Sequence, residues 1–245
     1  MTPVRWLPLL LLPVMVGCAT TGAGASPQDP LEPFNRTVYR FNDTIDRYAL
    51  KPLAQAYEAY VPQPLQLVVT SFFGNLDDLY SGANNLLQAK PKDALIDVTR
   101  FVVNSTLGFA GFADVASEIG LSKHQEDFGQ TLGHWGVPPG PYLVIPLLGP
   151  STFRDAPARV VDIYAHPIAQ YDDATSRERN ILWGLGLVSG RAGLLDSEKL
   201  IEGAALDRYS LIRDGWLQRR RNAVYDGDPP EQPELEDDSG YSDSK

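Results

Sequence analysis

Few residues in this chain could do chemistry. Of 245 residues, three are histidine (His124, His134 and His166) and one is cysteine, Cys18. Asp127, His134 and Ser151 could be drawn as a hydrolase triad, but a triad is defined by geometry and nothing in this spacing supplies it. His134, in LGHWG, reads instead as a packing or hydrogen-bonding residue. G-x-S-x-G, H-E-x-x-H, C-x-x-C and G-x-x-x-x-G-K are all missing, as is any metal-ligand spacing. The expectation is therefore no catalytic residue, no metal and no cofactor.

The one residue that asks for a modification is Cys18. Residues 1–17, MTPVRWLPLLLLPVMVG, carry a single Arg5 and then a mostly apolar run. That run is too short to span a bilayer and ends in a small residue, as a secretory signal does. Met15-Val16-Gly17-Cys18 resembles the bacterial lipobox, with Met15 where leucine is usual; its cysteine is acylated and becomes the new N-terminus. A lone cysteine in an exported chain has no internal disulfide partner, which leaves acylation or a buried thiol. One acyl chain binds a membrane only marginally, at about 10⁴ M⁻¹, whereas two or more hold stably. Residues 18–28, small and uncharged up to Gln28, read as a flexible tether. Ala19 stands where an aspartate commonly retains lipoproteins in the inner membrane of Gram-negative cells, so the outer membrane is favoured.

Removing residues 1–17 leaves 228, enough for one large domain. The net charge is −10, and the tail from Asp226 to Lys245 holds eight acids against one lysine. That tail has almost no large apolar residues and is expected to be disordered; it reads as solvated, or as a docking segment for a basic partner. Arg219-Arg220-Arg221 is the one basic run and no basic stripe accompanies it, so nucleic-acid binding is not expected. These arginines near a helix end are read as complementing its dipole.

Between tether and tail, residues 29–225, the periodicity is helical. Phe34, Val38, Phe41, Ile45 and Tyr48 form one apolar stripe, with Asp29-Pro30-Leu31-Glu32 as its capping signal. Leu65, Val68, Val69, Phe72 and Phe73 form a second. Leu76, Leu79, Tyr80, Ala83, Leu86 and Leu87 form a third after Gly74-Asn75. Pro91 opens a fourth with Leu95, Val98, Phe101 and Val102. A short helix is predicted around 154–164, and Thr175-x-x-Glu178 is a capping box before Ile181, Leu182, Leu185 and Val188. Leu206, Tyr209, Ile212 and Trp216 mark the last helix. These stripes are read as core. No long run alternates with period two, so the class is all-α, a single multi-helix domain with one irregular Gly/Pro-rich segment. That segment, FGQTLGHWGVPPGPYLVIPLLGPSTFRD (128–155), has five glycines and five prolines in 28 residues. Proline lacks a donor and clashes with the preceding turn, so no regular helix is expected there. NILWGLGLVSG (180–190) has no charge and is too short to span a bilayer; it is either a buried helix or one partly exposed to acyl chains, with glycines admitting a close neighbour.

DPLEPFNRTVYRFND (29–43) resembles the opening of the VacJ/MlaA lipoproteins, D-P-x-E-x-x-N-R-x-x-x-x-F-N. VPQP (61–64), TRFVVNSTLG (99–108), the Gly/Pro-rich segment and RAGLLD (191–196) fit the same family in order. The resemblance runs from the lipobox to about Tyr225, with Asp43 departing from the apolar residue some relatives carry. It implies an outer-membrane lipoprotein maintaining lipid asymmetry: a helical ring in the inner leaflet, associated with trimeric porins. An amphipathic channel there lets misplaced phospholipid leave the outer leaflet for a periplasmic lipid carrier. Cys18 is then the lipidation site. The lipid path is expected to involve Phe41, Asn42, Gly133, Trp135, Gly136, Gly140, Pro141, Tyr142, Pro146, Trp183 and Gly184. In this picture Phe41 packs on the bundle and Asn42 is held by hydrogen bonds. The Gly/Pro-rich segment wraps a channel wall or rim, since irregular backbone at membrane depth must be buried in protein or line a watery cavity. A long structural loop packed on the bundle is the other reading. An anchored scaffold without a channel, or a lipid hydrolase, are the other functional classes.

Overall fold

The first helix begins where Pro33 allows it. In a computed structural model that describes residues 28–202 and 207–231, α1 runs Glu32–Ile45 with proline in its first turn, where a missing N–H is harmless. The signal peptide, Cys18, the tether up to 27, Leu206 and the tail beyond 231 lie outside the described residues. The expected cap does not form: Leu31 occupies the cap position without a side-chain bond. The Asp29 carboxylate turns inward instead, accepting from Asn35 Nδ2 at 2.7 Å and Tyr209 Oη at 2.5 Å.

α1 continues without a break through a π-helical turn, Asp46–Leu50, into α2, Lys51–Tyr60. The Lys51 N–H reaches back five residues to the Asp46 carbonyl. The extra residue rotates everything after it by about 100°, so the stripe predicted from Phe34 to Tyr48 loses its phase. Val38 is buried, while Phe34 and Phe41 are half exposed and Tyr48 is exposed.

α3 spans Gln63–Leu87 in one piece, where a break at Gly74-Asn75 was expected. Gly74 stays helical because its bare Cα admits Lys123: a Cβ there would lie 2.8 Å from the Lys123 ammonium, which bonds the Gly74 carbonyl at 2.9 Å. α4, Pro91–Thr106, starts at its proline as predicted and folds back antiparallel along α3. Asn85 bonds Asp97, Arg100 bonds Asp78 and Asn75 bonds Ser105, partners running in opposite senses.

These two helices are inverted in polarity. α3 buries Asn75, Asp78, Ser81, Gly82, Asn84 and Asn85, and α4 buries Ala94, Asp97, Arg100 and Asn104. Leu65, Leu67, Leu86, Leu87, Leu95 and Val102 are exposed. The stripes read as core therefore face outward. Arg100, fully buried, is saturated by Asp78, Ser117, the Leu121 carbonyl and both oxygens of Asp114. A buried ion is tolerated only with such full pairing.

α5, Val115–Glu118, and α6, Phe128–His134, follow. α6 corrects the expectation of no helix at the start of the Gly/Pro-rich segment. Asp127 caps it, accepting the Gln130 N–H at 2.8 Å, and the prolines begin only at Pro138. The segment then forms a two-stranded antiparallel hairpin, β1 Tyr142–Ile145 against β2 Gly149–Thr152, with Tyr142 opposite Thr152 and Ile145 opposite Gly149. Four residues are too few to display an alternating pattern, which is why no sheet was expected.

The remaining helices are α7 Asp155–Ala165, α8 Pro167–Gln170, α9 Ser176–Ala192, α10 Leu195–Glu202 and α11 Arg208–Val224. The Thr175/Glu178 capping box on α9 is present as predicted. α9 buries none of its residues, which decides the reading of NILWGLGLVSG against a core helix. Gly186 admits Phe73, whose ring would stand 3.2 Å from an added Cβ, whereas nothing approaches Gly184. The apolar core is small: Val38, Tyr142, Val144 and Tyr209, with Tyr39, Trp216 and Leu217 packed on it. Chain order continues past 225, since Asp226 accepts from Lys90 at 2.6 Å. Apart from the hairpin, the domain is all-α.

Candidate functional site

Asn35 and Asn42 stand seven residues apart on α1, two turns of helix and therefore one face. Along that face runs the free edge of β1. Asn35 donates from Nδ2 to the Tyr142 carbonyl (3.0 Å) and accepts the Val144 N–H on Oδ1 (2.9 Å). Asn42 repeats the arrangement one step on, with the Ile145 carbonyl (3.0 Å) and the Leu147 N–H (2.8 Å). Each carboxamide thus stands in for a neighbouring strand's peptide. The Tyr142 N–H goes to the Gln28 carbonyl (3.0 Å). A two-stranded hairpin alone is marginal and its edge groups must be paired; here a helix pairs them. Asn35, Tyr142 and Val144 are buried, while Asn42 is partly exposed and Leu147 lies at the surface. The clamp is firm at the strand and looser at the turn.

Two cavities flank this hairpin. One, of about 320 Å³, is lined by Asn42 and Tyr39 of α1, Val144, Ile212 and the charged pair Arg191 and Glu198. Arg191 grips Asp46 of the π turn with two bonds (2.8 and 2.9 Å) and Glu198 with a third (2.5 Å). Arg208 also holds Glu198, at 2.6 Å. Burial opposes ionisation of Glu198, but the two arginines outweigh it and hold its carboxyl down to about 2. The ends of α1, α9 and α10 are therefore joined by one ionic knot.

The second cavity, of about 880 Å³, lies between the Gly/Pro-rich segment and α11, lined among others by Gly133, Gly136, Gly140, Arg154, Arg221 and Val224. Gly133 is required there: a Cβ would fall 2.5 Å from Arg154 Nη1 and 2.8 Å from Val224. At its wall Arg220 bridges Asp127 (2.5 and 2.7 Å) and Asp155 (2.9 Å), and Arg154 adds to Asp155 at 2.8 Å. Burial raises both carboxyls, but hydrogen bonds and charge from Arg220, joined by Arg154 at Asp155, hold them below the usual range. Arg220 is thus a structural bridge rather than the dipole partner expected of the arginine run. The same geometry leaves the imagined triad without parts. Asp127 is taken by Arg220, Ser151 Oγ points at its own strand's Thr152 carbonyl, and His134 stacks edge-on against Trp135.

A family model described as MlaA lipoprotein matches residues 27–223. The chain belongs to the MlaA lipoprotein family. It is 36% identical to the intermembrane phospholipid transport system lipoprotein MlaA of Escherichia coli (strain K12) over 227 residues, covering 90% of this chain and 89% of that protein. The same-named lipoprotein of Haemophilus influenzae is 35% identical, with 89% of each chain covered. A solved structure described as the structural basis for maintenance of bacterial outer membrane lipid asymmetry superposes with a TM-score of 0.68 at 35% identity, covering 80% of this chain and 98% of that one.

Within this MlaA-family fold the sequence-predicted residues fall into three groups. Asn42 is hydrogen-bonded as expected and lines the smaller cavity; Pro146 sits in the turn it holds. Gly133, Gly136 and Gly140 line the larger cavity, and Pro141 and Tyr142 lead from it into β1, with Tyr142 in the apolar core. Phe41, expected to pack on the bundle, is half exposed, on the side of α1 that the asparagines do not use. Trp135 is exposed, tethered by its Nε1–H to the Leu87 carbonyl at 3.0 Å. Trp183 packs on His166 and joins neither cavity, nor does Gly184. Cys18 lies outside the described residues. Among the described residues no group of His, Cys, Asp and Glu could hold a metal. Sequence reasoning missed Asn35 and Arg191 as individual residues, and the polar stripes of α3 and α4. The asparagine spacing of seven and the stripe spacings of three and four were the signals available.

Proposed function

We propose that this chain is an outer-membrane lipoprotein that removes mislocalised phospholipid from the outer leaflet along an amphipathic path and passes it to a periplasmic carrier, maintaining lipid asymmetry. The observation that carries the reading is the inverted polarity of α3 and α4: asparagines, aspartates and Arg100 inside, leucines and valines outside. In water that arrangement is unfavourable, because exposed apolar side chains gain nothing and buried polar ones must all find partners. Against acyl chains the outward leucines are solvated, and the inward polar groups offer a headgroup what hydrocarbon cannot. Among the described residues no helix is long and apolar enough to cross a membrane. This fits a domain seated in one leaflet, held by acylated Cys18, more than a spanning one. A ring around the path, trimeric porins against the outward leucines, and a soluble lipid carrier on the periplasmic side complete the proposal, all following the family resemblance. Phospholipid translocation breaks no bond, so no enzymatic role is assigned.

The test is complementation of a strain lacking this gene, with surface aminophospholipid read by a membrane-impermeant amine label. The wild-type gene should bring labelling back to the parental level. Labelling unaffected by loss or return of the gene would overturn the transport reading. Restored porin association without restored labelling would favour a scaffold, and fatty acid released by the purified protein would favour a hydrolase.

A further inference from the structure

The larger cavity carries an uncompensated positive charge. Of its charged lining residues, Arg154 and Arg220 are matched by Asp127 and Asp155, and Asp214 is paired with Arg213 at 2.7 Å. Arg221 alone has no carboxylate among the described residues; its Nη2 donates to the backbone carbonyl of Pro230. Beside it on α11 stand the amides of Gln218 and Asn222, and Pro138, Leu217 and Val224 contribute apolar lining. The chamber therefore combines a guanidinium flanked by neutral amides with an apolar surface. Its volume, about 880 Å³, lies within the range of small-molecule sites.

We propose that this cavity is a binding site for the phosphodiester of a phospholipid, with the Arg221 guanidinium and the Gln218 and Asn222 amides on the phosphate. The glycerol and first acyl carbons then lie along Pro138, Leu217 and Val224. A guanidinium fork matches two phosphate oxygens, and the single Pro230 carbonyl it now holds is an acceptor that a phosphate oxygen replaces. The phosphate charge answers the one cation the cavity leaves unmatched. Gly136 and Gly140, both at positive φ, leave the facing wall without side chains where the ligand enters. The proposal deepens the transport reading and rests on it, naming where along the path the headgroup is held.

The experiment is native mass spectrometry of the purified, full-length lipoprotein in detergent, titrated separately with phosphatidylglycerol, diacylglycerol and inorganic phosphate. Arg221→Gln should weaken phosphatidylglycerol binding by about tenfold or more, the scale of one charged hydrogen-bonding group, and leave diacylglycerol unchanged. Arg219→Gln, which removes an equal charge from an exposed position outside the cavity, should bind as wild type. Equal weakening by both variants would reduce the effect to net charge and overturn the site. Inorganic phosphate competing as well as the lipid would make this a free-phosphate site and overturn the lipid assignment. A chain ending at Glu231 tests the remaining occupant, the protein's own acidic tail: a several-fold gain in binding from truncation, with Arg221→Gln then silent, would overturn the proposal. Phospholipid binding in the wild type that Arg221→Gln leaves intact sinks this site alone. No phospholipid binding by any form sinks the transport reading with it.

Discussion

Replacing Asn42 with alanine removes both bonds that hold the hairpin turn to α1, the Ile145 carbonyl at 3.0 Å and the Leu147 N–H at 2.8 Å. A net hydrogen bond contributes about 1 kcal/mol, and a buried orphan group costs about 1–3 kcal/mol. Leu147 lies at the surface and Ile145 is partly exposed, so water can re-solvate both groups. The expected loss is therefore about 1–2 kcal/mol, or about 2–8 °C in Tm for a domain of this size. The fold survives, and the loss is local: hydrogen exchange at the Leu147 amide should rise about tenfold, since 1.4 kcal/mol is a factor of ten. Exchange at Val144, still held by Asn35, should not. If the turn controls the path beside the smaller cavity, cells carrying Asn42→Ala at normal protein level become sensitive to detergent. Asn35→Ala is the contrast. It strands the buried Tyr142 carbonyl, the Val144 N–H and one Asp29 oxygen together. By the same figures it loses about 3 kcal/mol or more, and its protein level should fall. Faster Leu147 exchange with an intact barrier would refute the control assigned to the turn. A leaky barrier with unchanged Leu147 exchange would refute the clamp as its cause.

The other expectations concern the ionic knot, the Arg100 cluster and the anchor. Arg191→Gln leaves Asp46 and Glu198 facing each other and should destabilise by about 1–3 kcal/mol; Asp46→Arg with Arg191→Asp should recover part of it, and a double-mutant cycle with no coupling would show that the knot does not join α1 to α9. Burial opposes ionisation of Asp114, but Ser117, Asn104 and Arg100 push its carboxyl from 3.8 to about 2. Its contribution is thus complete above about pH 4 and lost as pH falls towards 2. Acid unfolding of Asp114→Asn should therefore be less steep over that interval than wild type; parallel curves would contradict it. Cys18→Ser should abolish acylation and stall maturation, read as the missing lipid mass on the N-terminal peptide.

How much of this was legible depended on which solvent was assumed. Helix positions followed from period and caps: Pro91 and the Thr175/Glu178 box started α4 and α9 where they were expected. Asn42 was legible as a hydrogen-bonded residue because an amide beside an apolar line must be satisfied. Asn35 was not singled out, since its partner strand is a hairpin 107 residues away that announces no period. The π turn escaped for a related reason: one extra residue leaves no compositional mark. Gly74 was taken as a break because glycine usually weakens a helix, and the ammonium it admits lies 49 residues on.

The assignment of faces is the deeper case. Leu79, Leu86 and Leu87 on α3 recur with helical spacing, and so do Asn75, Asp78, Ser81 and Asn85 on the opposite side. Periodicity fixes that the helix has two faces; it does not say which is inside. In water the apolar face goes in, at about 25 cal/mol per Å². In a leaflet that driving force vanishes, since lipid tails are as apolar as leucine, and packing with satisfied polar contacts decides instead. Arg100 is the residue that breaks the tie. An arginine bonded by two aspartates, a serine and a carbonyl at zero exposure has no reason to exist on a water-facing helix, where solvent would serve it. Asp97 and Asn104 stand three residues before it and four after it, on the same face of α4, and both are buried with it. The aspartates and asparagines of α3 meet that face, so every inward polar group has a partner within the pair of helices, and the leucines are left to a solvent that is not water. This assigns the polar faces of α3 and α4 to the inside and their leucines to the lipid.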